Sequence, residues 1–196
     1  IDYALKRKKI NDWILILNND VELTEDTISN LILIADKNQR KSVVIPLTLD
    51  AKDRKTVIKS GTIILSWFFN ITKHVFENMK VDQIKNTEPV IVDMFTGRCV
   101  LHPVEIFEIT GNYDAANFRH YCCDDEFSIR IKKYGYYTLL SPSNKIFLSE
   151  NNQKIKKKLN FQNLFHILFN IKSSSNIINK YKLTLKIVPM HAKLSY

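Results

Sequence analysis

The chain is poor in the residues that break or staple a fold, with four glycines, five prolines and three cysteines in 196 residues. The apolar fraction of 45% is ordinary for a packed globular protein, which rules out intrinsic disorder as the main reading. Cys99, Cys122 and Cys123 are odd in number and form no C-x-x-C pair, which argues against a disulfide framework, a zinc knuckle and a dithiol redox motif. Reduced thiols in a cytoplasmic setting fit that usage best. No apolar run approaches the roughly 20 residues that span a bilayer, and no signal peptide opens the sequence. His74, His102, His120, His166 and His191 lack the i,i+4 pairing and the neighbouring Cys of a zinc site, so surface or structural roles are expected of them. The first residue is Ile1 rather than Met, which suggests a piece of something longer.

What is present is an ordinary globular composition. The apolar fraction is enough at this length for one domain with a single core and no staple. The charge is unevenly placed. Residues 1–150 hold 20 basic and 20 acidic side chains, whereas residues 151–196 hold nine Lys and no acid, so the whole excess of +9 lies in the tail. A neutral body with a basic appendage is not the pattern of a protein that coats nucleic acid. It points instead to one local anionic partner, a membrane surface or a nucleic-acid backbone.

Hydrophobic patterning predicts an α/β domain over 1–150 and a basic, aromatic helical tail over 151–196. Tyr3 to Lys9 reads as the end of an amphipathic helix. Trp13 to Leu17 is a continuous apolar run, the mark of a strand buried on both faces in a helix-covered parallel sheet. Thr24, Asp26 and Thr27 open a helix that carries Ile28, Leu31, Ile32 and Ala35 at helical spacing. Ser42 to Pro46 is a short strand and Thr48 to Lys59 a polar loop. Thr62 to Phe69 is a strand or hairpin, and Val90 to Asp93 and Cys99 to Leu101 bracket a turn at Thr96-Gly97. Helices follow from Pro103 to Gly111 and from Asp124 to Tyr134, then a strand from Tyr136 to Leu140 stopped by Pro142. In the tail, Leu164, Phe165, Leu168 and Ile171 fall at helical spacing.

Two constellations carry chemistry. Asn18-Asn19-Asp20 follows the first strand, where open α/β sheets place their ligands, and a carboxylate there suits a hard divalent ion that bridges phosphate oxygens. The same cluster also serves as a simple turn or helix entry. Asp124-Asp125-Glu126 opens a helix, where the dipole alone favours acids. One of these carboxylates could equally act as a general base in a cleft, with Glu126 and Arg130 as an i,i+4 ion pair that fixes the helix. Trp67 with Phe68-Phe69 could stack on a sugar ring, although core packing is the commoner fate of such a cluster. Cys122 and Cys123 have no evident base partner for nucleophilic chemistry.

The order of the segments is more specific than any one of them. Trp13-Ile14-Leu15-Ile16-Leu17-Asn18-Asn19-Asp20-Val21, Pro46, Ser60-Gly61, Val92-Asp93-Met94-Phe95-Thr96-Gly97, Val104 to Phe107 and Gly111-Asn112-Tyr113-Asp114 occur in that sequence. Asp124-Asp125-Glu126-Phe127-Ser128-Ile129-Arg130 then runs on to Gly135-Tyr136. Together they resemble the family 2 glycosyltransferases of the GT-A fold, over residues 1 to about 148, and all four glycines fall where that family places one. The likeness begins just before the DxD-type strand. The family's opening strand, helix and second strand, which hold the nucleotide base and ribose, have no counterpart, so the resemblance implies a mixed sheet flanked by helices that lacks those N-terminal nucleotide-binding strands.

The resemblance implies roles position by position. Asp20 would bind Mg²⁺ or Mn²⁺ on the diphosphate of a nucleotide-sugar donor, with Asn18 and Asn19 lining the same pocket. Asp124 would be the base that deprotonates an acceptor hydroxyl, giving inversion, and Thr96-Gly97 would lie near the sugar and acceptor. Two positions depart from the pattern: Cys123 stands where the family usually has Glu, and Leu148 where many members carry a His. The implied acceptor is a growing polysaccharide or a lipid-linked sugar, and the expected location is cytoplasmic, peripheral at the inner face of the membrane, with no specific nucleic acid. Two other readings stand beside this one, a non-catalytic remnant of such an enzyme and a binding module that docks on anionic surfaces through the tail. Lys154, Lys156, Lys157 and Lys158 ahead of the apolar stripe have the arrangement of an interfacial helix.

Overall fold

A computed structural model describes residues 1–9, 11–69, 71–149, 161–170, 172–173 and 175–195. Its elements in chain order are α1 (Asp2–Arg7), β1 (Trp13–Leu17), β2 (Val21–Leu23), α2 (Thr27–Lys37), β3 (Ser42–Asp50), β4 (Gly61–Ser66) and β5 (Ile71–His74). They continue as β6 (Val90–Val92), β7 (Met94–Phe95), β8 (Cys99–Pro103), α3 (Glu105–Thr110), α4 (Cys123–Lys132), β9 (Tyr137–Leu148), α5 (Phe161–Phe169) and α6 (Ile177–Ile187). Strands of both orientations make one large sheet in the order β1-β8-β3-β9-β2, with β6 on β9, while β5, β4 and β7 form a small antiparallel sheet. The expected mixed α/β architecture is therefore present.

The doubly buried strand is β3, not β1. Val43, Val44, Ile45, Leu47 and Leu49 are all essentially inaccessible, because β3 lies between β8 and β9 and pairs in parallel with β9 over its whole length. Among the described strands β1 pairs only with β8, antiparallel, and Leu17 at its end is exposed. A continuous apolar run does not by itself distinguish a central strand from an edge.

Two strands run past the prolines expected to end them. β3 continues through Pro46 to Asp50, and β9 through Pro142 to Leu148. The parallel ladder jumps there, from Pro46 opposite Ser141 to Leu47 opposite Lys145, so Pro142, Ser143 and Asn144 bulge out of the pairing. A bulge is where a sheet tolerates a residue that cannot donate to the ladder. Hydrogen bonds from Asn144 Nδ2 to Ser141 Oγ (2.8 Å) and between the Ser141 and Ser143 hydroxyls (3.1 Å) close it.

The core holds two layers of side chains. Val43, Ile45, Leu47, Val100, Ile106, Phe127, Ile131 and Leu140 pack on one face of the sheet, under α3 and α4. Leu31 and Ala35 of α2 meet Val44, Leu101, Leu139 and Ile146 on the other. The tail contributes more than one amphipathic helix. α5 covers part of the stripe expected at Leu164 to Ile171, although Ile171 and Lys154 to Lys158 lie outside the described residues. α6 packs back on α4, and Val188 and Ala192 after it are buried. Among the described residues no helix is long and apolar enough to cross a membrane.

Candidate functional site

Antiparallel pairing of β1 with β8 builds the first wall of the site. Leu17 lies opposite Cys99, and the Asn18 N–H donates to the Arg98 carbonyl at 2.9 Å, which sets Asn18 beside the Thr96-Gly97 turn. The start of α4 builds the second wall. Ser128 Oγ donates to the Asp124 carbonyl at 2.6 Å and accepts from the Phe95 N–H at 3.2 Å, so turn and helix are tied together. The Gly97 N–H donates to Asp124 Oδ2 at 2.9 Å. A Cβ on Gly97 would stand 2.7 Å from that oxygen and 2.8 Å from Oδ1. Glycine is needed at 97 so that the backbone can reach the carboxylate, not for a special backbone angle.

Asn18, Thr96, Gly97, Tyr113 and Asp124 thus line one open cavity of about 630 Å³. Burial raises the Asp124 carboxyl above the ordinary range, partly offset by the Gly97 hydrogen bond. Burial, with the Asp124 charge beside it, pushes Asp125 up to about 6, and Lys180 of α6 pulls the other way. Two adjacent, partly buried carboxylates are costly to ionise together, the condition expected of groups that move protons. Cys122, just before the helix, has a left-handed backbone (φ 70°) that a non-glycine residue adopts only under constraint.

Glu126 and Arg130 do form the expected ion pair, at 2.9 Å and largely buried. They act behind the site rather than in it. Arg130 also donates to the carbonyls of Thr110 and Asn112, at 2.9 Å for the latter, and so anchors the 110–112 turn to α4. That turn leads into Tyr113, whose ring stacks on Phe127 with centroids 4.2 Å apart and whose hydroxyl lies 2.9 Å from His102 Nε2. His102 is completely buried, and desolvation lowers its pKa to about 4. It is a structural histidine, as expected.

Asn19 and Asp20 are not brought to this cavity. The chain leaves β1 at Leu17 and turns toward β2 at the other edge of the sheet. The Asp20 carbonyl accepts from the Ser149 N–H at 3.2 Å, and its side chain is exposed. Leu148 is buried against Val21 and offers no ligand. Among the described residues no group of three or more His, Cys, Asp and Glu is placed to hold a metal ion. One carboxylate with neighbouring amides suits Mg²⁺ or Mn²⁺ only where phosphate oxygens complete the shell.

Several residues at the site were not singled out from the sequence. Arg98 and Arg119 line the same cavity and give it positive charge, and His120 lines it too. The segment 112–122 carries no periodic signal that marks Arg119, and His120 is expected from the sequence only in a surface or structural role. Trp67 and its neighbours are not core residues: Trp67 lines a second cavity, and Phe68 and Phe69 are 54% and 70% exposed. Burial pushes the Cys122 and Cys123 thiols up to about 11, away from nucleophilic use.

No protein-family model matches the chain. No curated protein matches it either. Solved structures do: one is the crystal structure of GalNAc-T7 with UDP, GalNAc and Mn²⁺, which superposes with a TM-score of 0.55 at 16% sequence identity over 76% of this chain. The chain spans 29% of the length of that protein. The mixed sheet flanked by helices is similar to the fold of a GT-A glycosyltransferase.

Proposed function

We propose that the chain is the catalytic part of an inverting family 2 glycosyltransferase, which moves a sugar from a nucleotide diphosphate donor to an acceptor hydroxyl. The observation that carries this reading is the Asp124 carboxylate, held by the Gly97 N–H at 2.9 Å in a cavity that also takes in Asn18. Burial makes that carboxylate a stronger base than an exposed Asp. Asp124 takes the proton of the acceptor hydroxyl as its oxygen attacks the anomeric carbon from the side opposite the diphosphate. The bond from that carbon to the diphosphate oxygen breaks, and its electron pair leaves with the diphosphate. The guanidinium groups of Arg98 and Arg119 offset the charge that develops there, and Asn18 and Thr96 offer hydrogen bonds to the donor.

Asn19 and Asp20 lie outside this cavity and do not meet a diphosphate bound in it, so a Mg²⁺ or Mn²⁺ ion at Asp20 has no part in this step. GalNAc-T7, solved with UDP and Mn²⁺, supports the nucleotide and metal classes as expectations. The acceptor in this reading is a polysaccharide or lipid-linked sugar. The tail supports attachment to an anionic membrane surface on the cytoplasmic side: it has nine Lys and no acid, and α5 exposes Leu164, Phe165 and Phe169.

The test is Asp124→Asn, with donor turnover followed in the presence of a panel of sugar acceptors. Loss of a general base costs roughly 10²–10⁴ in rate while donor binding stays close to unchanged. An Asn variant that keeps more than about a tenth of the turnover removes Asp124 from this role. The anomeric configuration of the product, read by NMR, decides between inversion and retention.

A further inference from the structure

A second cavity, of about 590 Å³, lies between α6, the start of α4 and the β4–β5 hairpin. Ile64, Trp67, Met94, Leu183, Ile187 and Val188 line it together with the polar Thr72, Thr184 and Tyr181. Its charged groups are Asp125 and Lys180, and Tyr121, Cys122 and Asp125 line both spaces. The two cavities therefore share a wall one residue from Asp124. α6 is held in place over this space. Lys186 forms an ion pair with Asp114, its ammonium sits 5.8 Å from the centre of the Phe118 ring, and Val188 is buried at the end of the helix.

The two elements that flank the cavity also carry exposed apolar side chains. The hairpin that carries Trp67 into the cavity also exposes Leu65, Phe68, Phe69 and Ile71, and α6 exposes Ile177, Ile178 and Tyr181. Ile177 and Tyr181 are both exposed and part of the cavity lining, so the cavity opens on an apolar stretch of α6. A free sugar would find partners at Thr72, Thr184, Tyr181, Asp125 and Lys180, but its hydroxyls that face Ile64, Met94, Leu183, Ile187 and Val188 would stay unpaired. An aliphatic chain has no such groups to leave unpaired.

We propose that this cavity holds the aliphatic chain of a lipid-linked acceptor, whose sugar end passes the Tyr121–Cys122–Asp125 wall to reach Asp124. The inference rests on the transferase reading for the direction of the sugar. The chain-binding site itself stands on the cavity. It also gives the lysine-rich tail a purpose, since a carrier held in a membrane has to meet the site at the membrane surface.

The experiment uses alkyl glucosides of increasing chain length, each below its micelle concentration, as model lipid-linked sugars. The readout is Trp67 fluorescence in a Trp13→Phe chain, which leaves Trp67 as the one remaining tryptophan of two. The expected result is saturable binding that tightens about fourfold per added CH₂ until the cavity is full and then levels off, with methyl glucoside inactive. Leu183→Phe, which fills part of the space, should weaken the longest chains at least tenfold, and Ile187→Asp should abolish the response. Circular dichroism identifies a variant that fails to fold, and Leu183→Phe then decides. A response that does not depend on chain length, or that survives in folded Leu183→Phe, overturns the proposal. Donor turnover by the same samples separates the two readings: chain binding without any turnover leaves a lipid site and removes the transferase, while turnover without chain binding removes the lipid site alone.

Discussion

Replacing Asp125 by Asn should make the protein more stable at neutral pH. The free carboxyl of an Asp titrates near 3.8, and in the folded chain burial and the neighbouring Asp124 push this one up to about 6. Between those two values the unfolded chain releases a proton that the folded chain retains, so folding loses stability as pH rises through the interval. Each pH unit is worth about 1.4 kcal/mol, so the carboxylate costs ~3 kcal/mol at pH 7. The Asn amide has the shape of the protonated acid and no charge to desolvate. Urea unfolding at pH 7 should therefore show a gain of ~2–3 kcal/mol for Asp125→Asn, shrinking to well under ~1 kcal/mol at pH 4, where the native acid is protonated in the folded chain. His102 works in the same pH range with the opposite sign. Its pKa falls from 6.5 to about 4 in the folded state, so the unfolded chain takes up a proton first and stability falls on acidification. The two dependences partly cancel in the native chain, and only the difference between native and variant isolates Asp125. No gain at pH 7, or a gain equal at pH 4 and pH 7, would refute the account of Asp125 as a carboxylate kept from water.

The remaining expectations are independent of that one. His102 by itself should contribute a loss of ~3 kcal/mol of stability between pH 6.5 and pH 4, and its NMR signal should not titrate above pH 5. Gly97→Ala should reduce turnover by about 10²-fold or more, because its Cβ would stand 2.7 Å from Asp124 Oδ2 and the flexible carboxylate is what gives way; a steady-state rate within threefold of native would show that the position of the carboxylate does not matter. Glu126→Ala leaves Arg130 without its buried partner and should cost ~3–5 kcal/mol in urea unfolding, whereas a loss below ~1 kcal/mol would place the pair with ordinary surface bridges.

What the sequence disclosed, and what it withheld, follows from how far each signal reaches along the chain. The helix at Asp124 and the pair Glu126–Arg130 are four residues apart or fewer, so propensity, dipole and i,i+4 spacing were enough to place them. The turn at Thr96-Gly97 was legible for the same reason. Its purpose was not, since that requires Asp124, 27 residues further on, to point back at the Gly97 N–H. The Asn18-Asn19-Asp20 cluster shows the limit from the other side. Three neighbours in sequence were expected in one pocket, but the hydrogen bond from Asn18 to Arg98 is the last that β1 makes to β8, and beyond it the chain turns away with Asp20. The prolines at 46 and 142 misled because each was read alone. Paired across the β3–β9 ladder, they share one bulge that neither strand signals by itself. The second cavity was the least legible feature of all. Trp67 on a hairpin, Cys122 before α4 and Ile187 on α6 have no common period, and only the docking of α6 through Lys186 and Asp114 brings them to one space. This docking also changes the meaning of the tail's charge. Lys186 is matched by an acid of the body and Lys180 acts on Asp125, so part of what reads as an uncompensated basic stripe is the means by which the tail is fixed beside Asp124 and Asp125.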